Sequence, residues 1–247
     1  MSNLDFISDK DLFNHVYDTV SSYSFSMNLK EFNKNLIDPI KLTFDSVVYN
    51  QEYKETIENE VLRQLDKSNS NLIGYFHQNI FKYISSNWQV PEHGYDIVNE
   101  KKSIYVEMKN KHNTMNSSSS AKTFMRMQNT IIENPSAVCM LVEVIAKKSQ
   151  NKPWAITLDG HKQNANEQIR RVSIDKFYKL VTKDKLAFKK LCDVLPTVIK
   201  EAVSKLKDSE KSNTVFKELQ DLSPDLLTSI YLLSFSKYEG FNNFKIN

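Results

Sequence analysis

Residues 137–146, Ala-Val-Cys-Met-Leu-Val-Glu-Val-Ile-Ala, constrain the fold of this chain more than any other stretch. The run is apolar and rich in β-branched residues, and Glu143 is its one charge. It is far shorter than the roughly 20 apolar residues a membrane span needs. A strand that is apolar on both faces has to be covered on both faces. The run therefore predicts a buried central strand, in a sheet with helices on either side.

The hydrophobic period before and after the run agrees with that. Residues 8–20 carry Leu12, Phe13, Val16, Tyr17 and Val20 at helical spacing, and Ser8 with Asp11 resembles a capping box. Asp38-Pro39 is a helix start, followed by Ile40, Phe44, Val47 and Val48. Residues 52–66 and 71–85 each repeat the helical period. After Trp88 the period changes. Residues 88–91 form a possible short strand, and 95–98 and 104–109 read as a hairpin around a polar turn at 99–102. Residues 110–120 are a polar loop, 119–133 a helix ended by Pro135, and 153–158 a strand ended by Asp159-Gly160. Residues 162–166 read as loop and 169–174 as a strand. Residues 175–181, 184–207 (with Pro196 as a kink or break) and 223–236 read as helices, and 209–213 is the best linker. The expected architecture is one α/β domain over residues 1–247. It has a helical N-terminal part (1–86), a mixed central sheet flanked by helices (87–175) and a helical C-terminal part (176–247).

Composition narrows the function classes. At 40% hydrophobic and 26% charged over 247 residues, the chain is globular and long enough for a proper core. Two cysteines, Cys139 and Cys192, make neither a disulfide scaffold nor a zinc knuckle, and Cys139 reads as a reduced core thiol. The start lacks a basic region followed by an apolar stretch, so no signal peptide is expected, and a cytoplasmic chain fits. Without a Gly-x-x-x-x-Gly-Lys or Gly-x-Gly-x-x-Gly run, nucleotide-driven chemistry is not expected. Charge is unevenly spread. Residues 1–60 hold 5 basic and 11 acidic side chains, 101–126 hold 6 and 1, and 176–217 hold 11 and 5. A basic middle and C-terminal third suggest a polyanionic partner.

The chemistry gathers at the hairpin. Asp96 follows Gly94-Tyr95, and Glu107 and Lys109 stand two apart on the next strand. Alternation points Glu107 and Lys109 to one face, and an antiparallel partner brings Asp96 alongside Glu107. Two carboxylates at one point repel unless a cation sits between them. A hard divalent ion with oxygen ligands, Mg²⁺ above all, satisfies both, and the Met108 backbone carbonyl is a natural further ligand. Lys109 beside the ion can orient or deprotonate a water that attacks phosphorus in line.

Gly94-Tyr95-Asp96 with Glu107-Met108-Lys109 resembles the PD-(D/E)xK nuclease superfamily, with Tyr95 where the superfamily name has Pro. The wider string from Tyr95 through Lys109-Asn-Lys-His-Asn-Thr-Met-Asn116 is more specific, as are residues 74–81 and 141–148. Together they resemble bacterial type II restriction endonucleases that cut GGNCC. The resemblance implies a PD-(D/E)xK nuclease-like fold and Mg²⁺-dependent double-strand cuts in unmethylated DNA that leave 5′-phosphates. It also implies a homodimer on a two-fold site, and a cognate DNA methyltransferase acting on that site without direct contact. Carried over, Asp96 and Glu107 are metal ligands and Lys109 is the water-handling base or positioner.

Further candidates surround these three. Lys111, His112, Asn113 and Asn116 follow the catalytic strand and are expected near the cleaved phosphate. Lys122 and Arg126 are placed to neutralise phosphates or enter the groove. Arg170 and Arg171, two of only four arginines, are candidates for guanine contacts. Gln78 and Glu60 are possible supporting groups on the preceding helices, and His77 reads as an interior or surface histidine. Two other readings stay open on the residues alone: a DNA repair nuclease on the same fold, and a non-catalytic DNA-binding module.

Overall fold

The computed structural model describes residues 4–112, 114–158, 160–206 and 212–237. Contacts divide the chain into two compact units, 1–22 with 72–206 and 23–71 with 207–247.

The first unit is built on a five-stranded sheet. Strand β1 (Ile97–Asn99) leads through a 3-10 turn (Glu100–Lys102) into β2 (Ile104–Lys111). Asn99 caps that turn, its side chain accepting the Lys102 N–H, and Ser103 closes it at a φ of 49°. Helix α5 (Ser117–Glu133) crosses over to β3 (Val138–Ile145). Strand β4 (Asn151–Trp154) is followed by a small hairpin of β5 (Thr157–Leu158) and β6 (His161–Lys162), then by β7 (Asn166–Ser173). The strand order is β1-β2-β3-β7-β4. β3 is parallel to both of its neighbours, while β1 and β4 are antiparallel edges. The apolar run at 137–146 thus takes the central place its composition demands.

Both faces of this sheet are covered. On one face Ile97, Val106, Met108, Met140, Val142 and Val172 pack with α1 (Asp9–Ser21), α6 (Ile174–Thr182), α7 (Ala187–Ser204) and the end of α4 (Tyr53–Ile84). On the other, Tyr95, Cys139, Leu141 and Ile169 pack under Phe124 and Met127 of α5. Cys139 is buried and reduced.

The second unit is helical. It contains α2 (Leu29–Asn33), α3 (Pro39–Tyr49), the first part of α4, α8 (Val215–Leu222) and α9 (Leu226–Phe235). Phe32, Leu42, Ile57, Val61, Leu219 and Ile230 are among its core residues. Asp38 caps α3, with Pro39 in its first turn.

Several elements differ from their sequence reading. The helices expected at 52–66 and 71–85 are one helix of 32 residues. The polar link between them stays helical, and Asn69 there ties to the Ser24 backbone by two hydrogen bonds, of 2.9 and 3.1 Å. Residues 88–91 form only a single bridge, Gln89 to Val98. The expected strand at 153–158 is two short ones, and β7 begins inside the expected loop. Helices α2 and α8 have too few residues for a clear period. Pro196 lies inside α7 without ending it. On α3 the periodic residues Phe44, Val47 and Val48 are exposed, and Leu42 and Ser46 face inward. No helix among the described residues is long and apolar enough to cross a membrane.

Candidate active site

The hairpin β1–β2 places the carboxylates. Ile97 pairs with Val106 and Val98 with Tyr105, so continuing the register by one residue sets Asp96 opposite Glu107. Asp96 Oδ2 accepts the Met108 N–H at 2.7 Å. A strand residue turns its N–H and its carbonyl to the same side, so the Met108 carbonyl faces that side too. Gly94, at a φ of 94°, makes the turn into this segment in a conformation other residues resist. Burial pushes the Asp96 carboxyl up, and the charge of Glu107 adds to that. The Met108 N–H, Lys109 and Arg126 offset it in part. The two carboxylates therefore feel each other, in a half-buried setting.

Glu107 is buried, and each of its oxygens meets a cation. Lys109 Nζ lies 2.7 Å from Oε1. Arg126, on α5, donates from Nη2 to Oε2. Its Nη1 donates to the Gly94 carbonyl at 2.8 Å, and its guanidinium stacks 4.6 Å above the Tyr95 ring. Tyr95 is in turn fixed by a 2.8 Å hydrogen bond between its hydroxyl and that of Thr130. Arg126, expected as a phosphate or groove contact, is thus drawn into the carboxylate site. Among the described residues no three His, Cys, Asp or Glu side chains form a metal cage. Two carboxylates and a carbonyl, all hard oxygen donors, suit an ion that keeps several waters, as Mg²⁺ does.

A second charged cluster lies one strand further in. Lys109 is the Cα partner of Glu143 on β3. Glu143 is 2% exposed. Arg171 Nε donates to Glu143 Oε1 at 2.9 Å, and Nη2 donates to the same oxygen. His112 Nδ1 is 3.1 Å from Glu143 Oε2 and 2.8 Å from Arg171 Nη2. Burial would raise the Glu143 carboxyl, but the hydrogen bonds from Arg171 and His112 outweigh it and hold it below the usual range. Glu143 did not stand out as a site residue in the sequence. Its signal was there: it is the only charge in an otherwise apolar strand, and a buried charge needs partners.

The other candidates are placed as follows. Arg170 and Arg171 are adjacent on β7 and so point to opposite faces. Arg170 is tied to Asn151, with Nη2 3.0 Å from its carbonyl, and to Glu167 at 2.9 Å. Lys111 and Lys122 are exposed. Asn116 caps α5, its side chain accepting the Ser119 N–H at 2.8 Å. Asn113 lies outside the described residues. Gln78, on the last part of α4, is half-buried. Glu60 belongs to the second unit, where Arg63 grips it with two hydrogen bonds of 2.6 Å and Gln64 adds one of 3.0 Å. His77 is half-buried, and burial pushes it down to about 4, with His15 adding to the shift.

Comparison with known proteins gives a consistent answer. Residues 4–204 match the family model for Eco47II restriction endonuclease. The chain is 29% identical over 228 residues to the type II restriction enzyme Sau96I of Staphylococcus aureus, covering 87% of each. It is also 29% identical over 216 residues to the type II restriction enzyme Eco47II of Escherichia coli, covering 83% of this chain and 90% of that one.

Proposed function

The chain belongs to the Eco47II restriction endonuclease family, and from that premise we propose a Mg²⁺-dependent enzyme that cuts both strands of DNA at GGNCC and leaves 5′-phosphates. As a member of that family it is a site-specific deoxyribonuclease. The observation that carries the mechanism is the register that sets Asp96 opposite Glu107, with Lys109 Nζ 2.7 Å from Glu107. The arrangement supports a PD-(D/E)xK nuclease core. The family match spans sequence in both compact units, which supports a single nuclease domain over the whole chain.

In this reading Asp96, Glu107 and the Met108 carbonyl hold the ion. When bound, Mg²⁺ stabilises the charge that develops on the phosphoryl group. Lys109, fixed by Glu107, positions the attacking water and helps remove its proton. The water oxygen bonds to phosphorus as the bond to the 3′ oxygen breaks, and the departing 3′ oxygen takes a proton from solvent water, which leaves a 5′-phosphate and a 3′-hydroxyl. Arg126 holds Glu107 and the Gly94 carbonyl, and so keeps the turn and the strand at one separation. The enzyme acts in the cytoplasm as a homodimer on the two-fold site, and a DNA methyltransferase that modifies the same site protects the host.

Digestion of an unmethylated plasmid of known sequence, with Mg²⁺ and with EDTA, tests the reading when the ends are sequenced. Discrete Mg²⁺-dependent fragments ending at GGNCC are expected. Fragments ending at another sequence overturn the site alone. Preference for branched or nicked DNA moves the assignment to a repair nuclease. Retention of DNA with no cutting under any divalent metal moves it to a binding module.

A further inference from the structure

Beside Lys109 is a small cavity of about 100 Å³, lined by Lys109, Lys111, Ser120, Glu143, Trp154 and Arg171 among others. Three cations surround one buried carboxylate there. Lys109, Lys111, Glu143, Trp154 and Arg171 stand on four strands of the sheet, Thr114 and Met115 on the link after β2, and Ser120 on α5.

The engagement of Arg171 limits what it can do. Its Nε and Nη2 are taken by Glu143, and Nη2 also meets His112. Nη1 has no partner among the described residues, and the side chain is 21% exposed. The arginine fork that reads a guanine uses two nitrogens of one guanidinium, aimed at O6 and N7 together. A single free nitrogen cannot do that. It can donate to a phosphate oxygen, which accepts from a wide range of directions. The His112 ring is held on the same carboxylate, and its Nδ1 can donate to Glu143 or accept from Arg171 but not both. Glu143, one strand from the proposed catalytic lysine, is thus the post that fixes two basic side chains, His112 just past β2 and Arg171 on β7.

We propose that Glu143 is a positioning residue that holds Arg171 and His112 to bind a DNA backbone phosphate next to the scissile one, so that Arg171 grips the backbone and reads no base. This rests on the nuclease reading above and deepens it. Glu143 touches neither the water nor the cleaved phosphate. It acts through Arg171.

The test is a salt titration of DNA binding by the full chain, in an Asp96→Asn background that leaves the duplex uncut. Two duplexes are compared, one with GGNCC and one without. The double variant Glu143→Gln/Arg171→Gln removes the cation and keeps the buried pair neutral. It is expected to flatten the slope of log K against log salt by about 0.9, the value for one lost phosphate contact. Both duplexes should weaken by the same factor. Glu143→Gln alone keeps the arginine charge but loosens its hold, so affinity for both duplexes should fall even where the slope is kept, and unchanged affinity overturns the positioning role. An unchanged slope in the double variant, or a loss confined to the GGNCC duplex, overturns the proposal. If the double variant melts below the assay temperature, Arg171→Lys in the otherwise wild-type enzyme serves instead. It keeps the charge but not the fork that fixes it to Glu143, so KM should rise about tenfold, the worth of one charged hydrogen bond, with kcat nearly unchanged, and an unchanged KM overturns the proposal. Wild-type digestion runs in parallel. No cutting there overturns the nuclease reading, whereas normal cutting with an unaltered slope removes only this inference.

Discussion

Two carboxylates at one sheet, the half-buried Asp96 and the buried Glu143, are held in opposite electrostatic senses. Asp96 is raised, by burial first and then by Glu107, so its charge costs folding free energy at neutral pH. A raised carboxylate destabilises the fold above its folded pKa, and the cost fades as pH falls toward the unfolded value of about 3.9. Asp96→Asn should therefore raise the melting temperature at pH 7 while abolishing cleavage. About 0.5–2 kcal/mol is expected, the range of single stabilising substitutions. The advantage should shrink as the melting experiment moves to acid. Glu143 has the other sign. Its lowered carboxyl contributes stability above its unfolded pKa and loses it as pH falls through the folded one. Glu143→Gln should cost about 1.5–3 kcal/mol at pH 7, the worth of hydrogen bonds to a charged group, with the loss narrowing in acid. Melting curves of both variants across pH check the pair. Lys109→Ala should abolish cutting yet leave the fold intact, because the lysine is partly exposed and its loss creates no cavity. Glu107→Ala should also abolish cutting, but at a stability cost, because Lys109 and Arg126 both lose their partner.

At the scale of elements, α5 does two things. Phe124 and Met127 seal one face of the sheet, and Arg126 reaches Glu107. Its start is set by Asn116, which accepts the Ser119 N–H. Asn116→Ala should lower stability by about 1 kcal/mol, the usual worth of an N-cap, while Asn116→Asp keeps it. A drop in DNA affinity for the aspartate variant at unchanged stability would show that Asn116 lies near the phosphates as well. The hairpin was legible in the sequence because turn and alternation are local signals, and its register then set Asp96 opposite Glu107. The partners of Glu107 were not. Arg126 is 19 residues away in sequence, and no local period says that an α5 side chain will turn back onto β2. On α3 the period gave the helix correctly, yet Phe44 and Val47 face outward. A period says that a helix has an apolar stripe. It does not say which residues the neighbouring helices cover.

For the whole molecule, the proposed double-strand cut requires two reactions, one on each strand, and the chain carries one proposed Asp96–Glu107 pair. A homodimer meets it. Sedimentation equilibrium of the enzyme with a short GGNCC duplex should give a protein mass about twice 28.7 kDa, and a plasmid with one site should pass to the linear form. Accumulation of nicked circles with a monomeric mass would refute that assembly. Binding should weaken steeply with salt, as expected for a protein that neutralises several phosphates.

The sequence by itself determined the hairpin of β1 and β2, the helix α5, the central strand at 138–145, and the juxtaposition of Asp96, Glu107 and Lys109. Each rests on a local rule: a period, a turn, or the alternation of a strand. Only the tertiary structure decided the rest. It fused residues 53–84 into one helix, gave Glu107 its second cation from α5, and gathered Glu143, His112 and Arg171. His112 and Arg171 are 59 residues apart in sequence. They meet because β2 and β7 both lie against β3, and that adjacency comes from burying both faces of one apolar strand rather than from any signal near either residue.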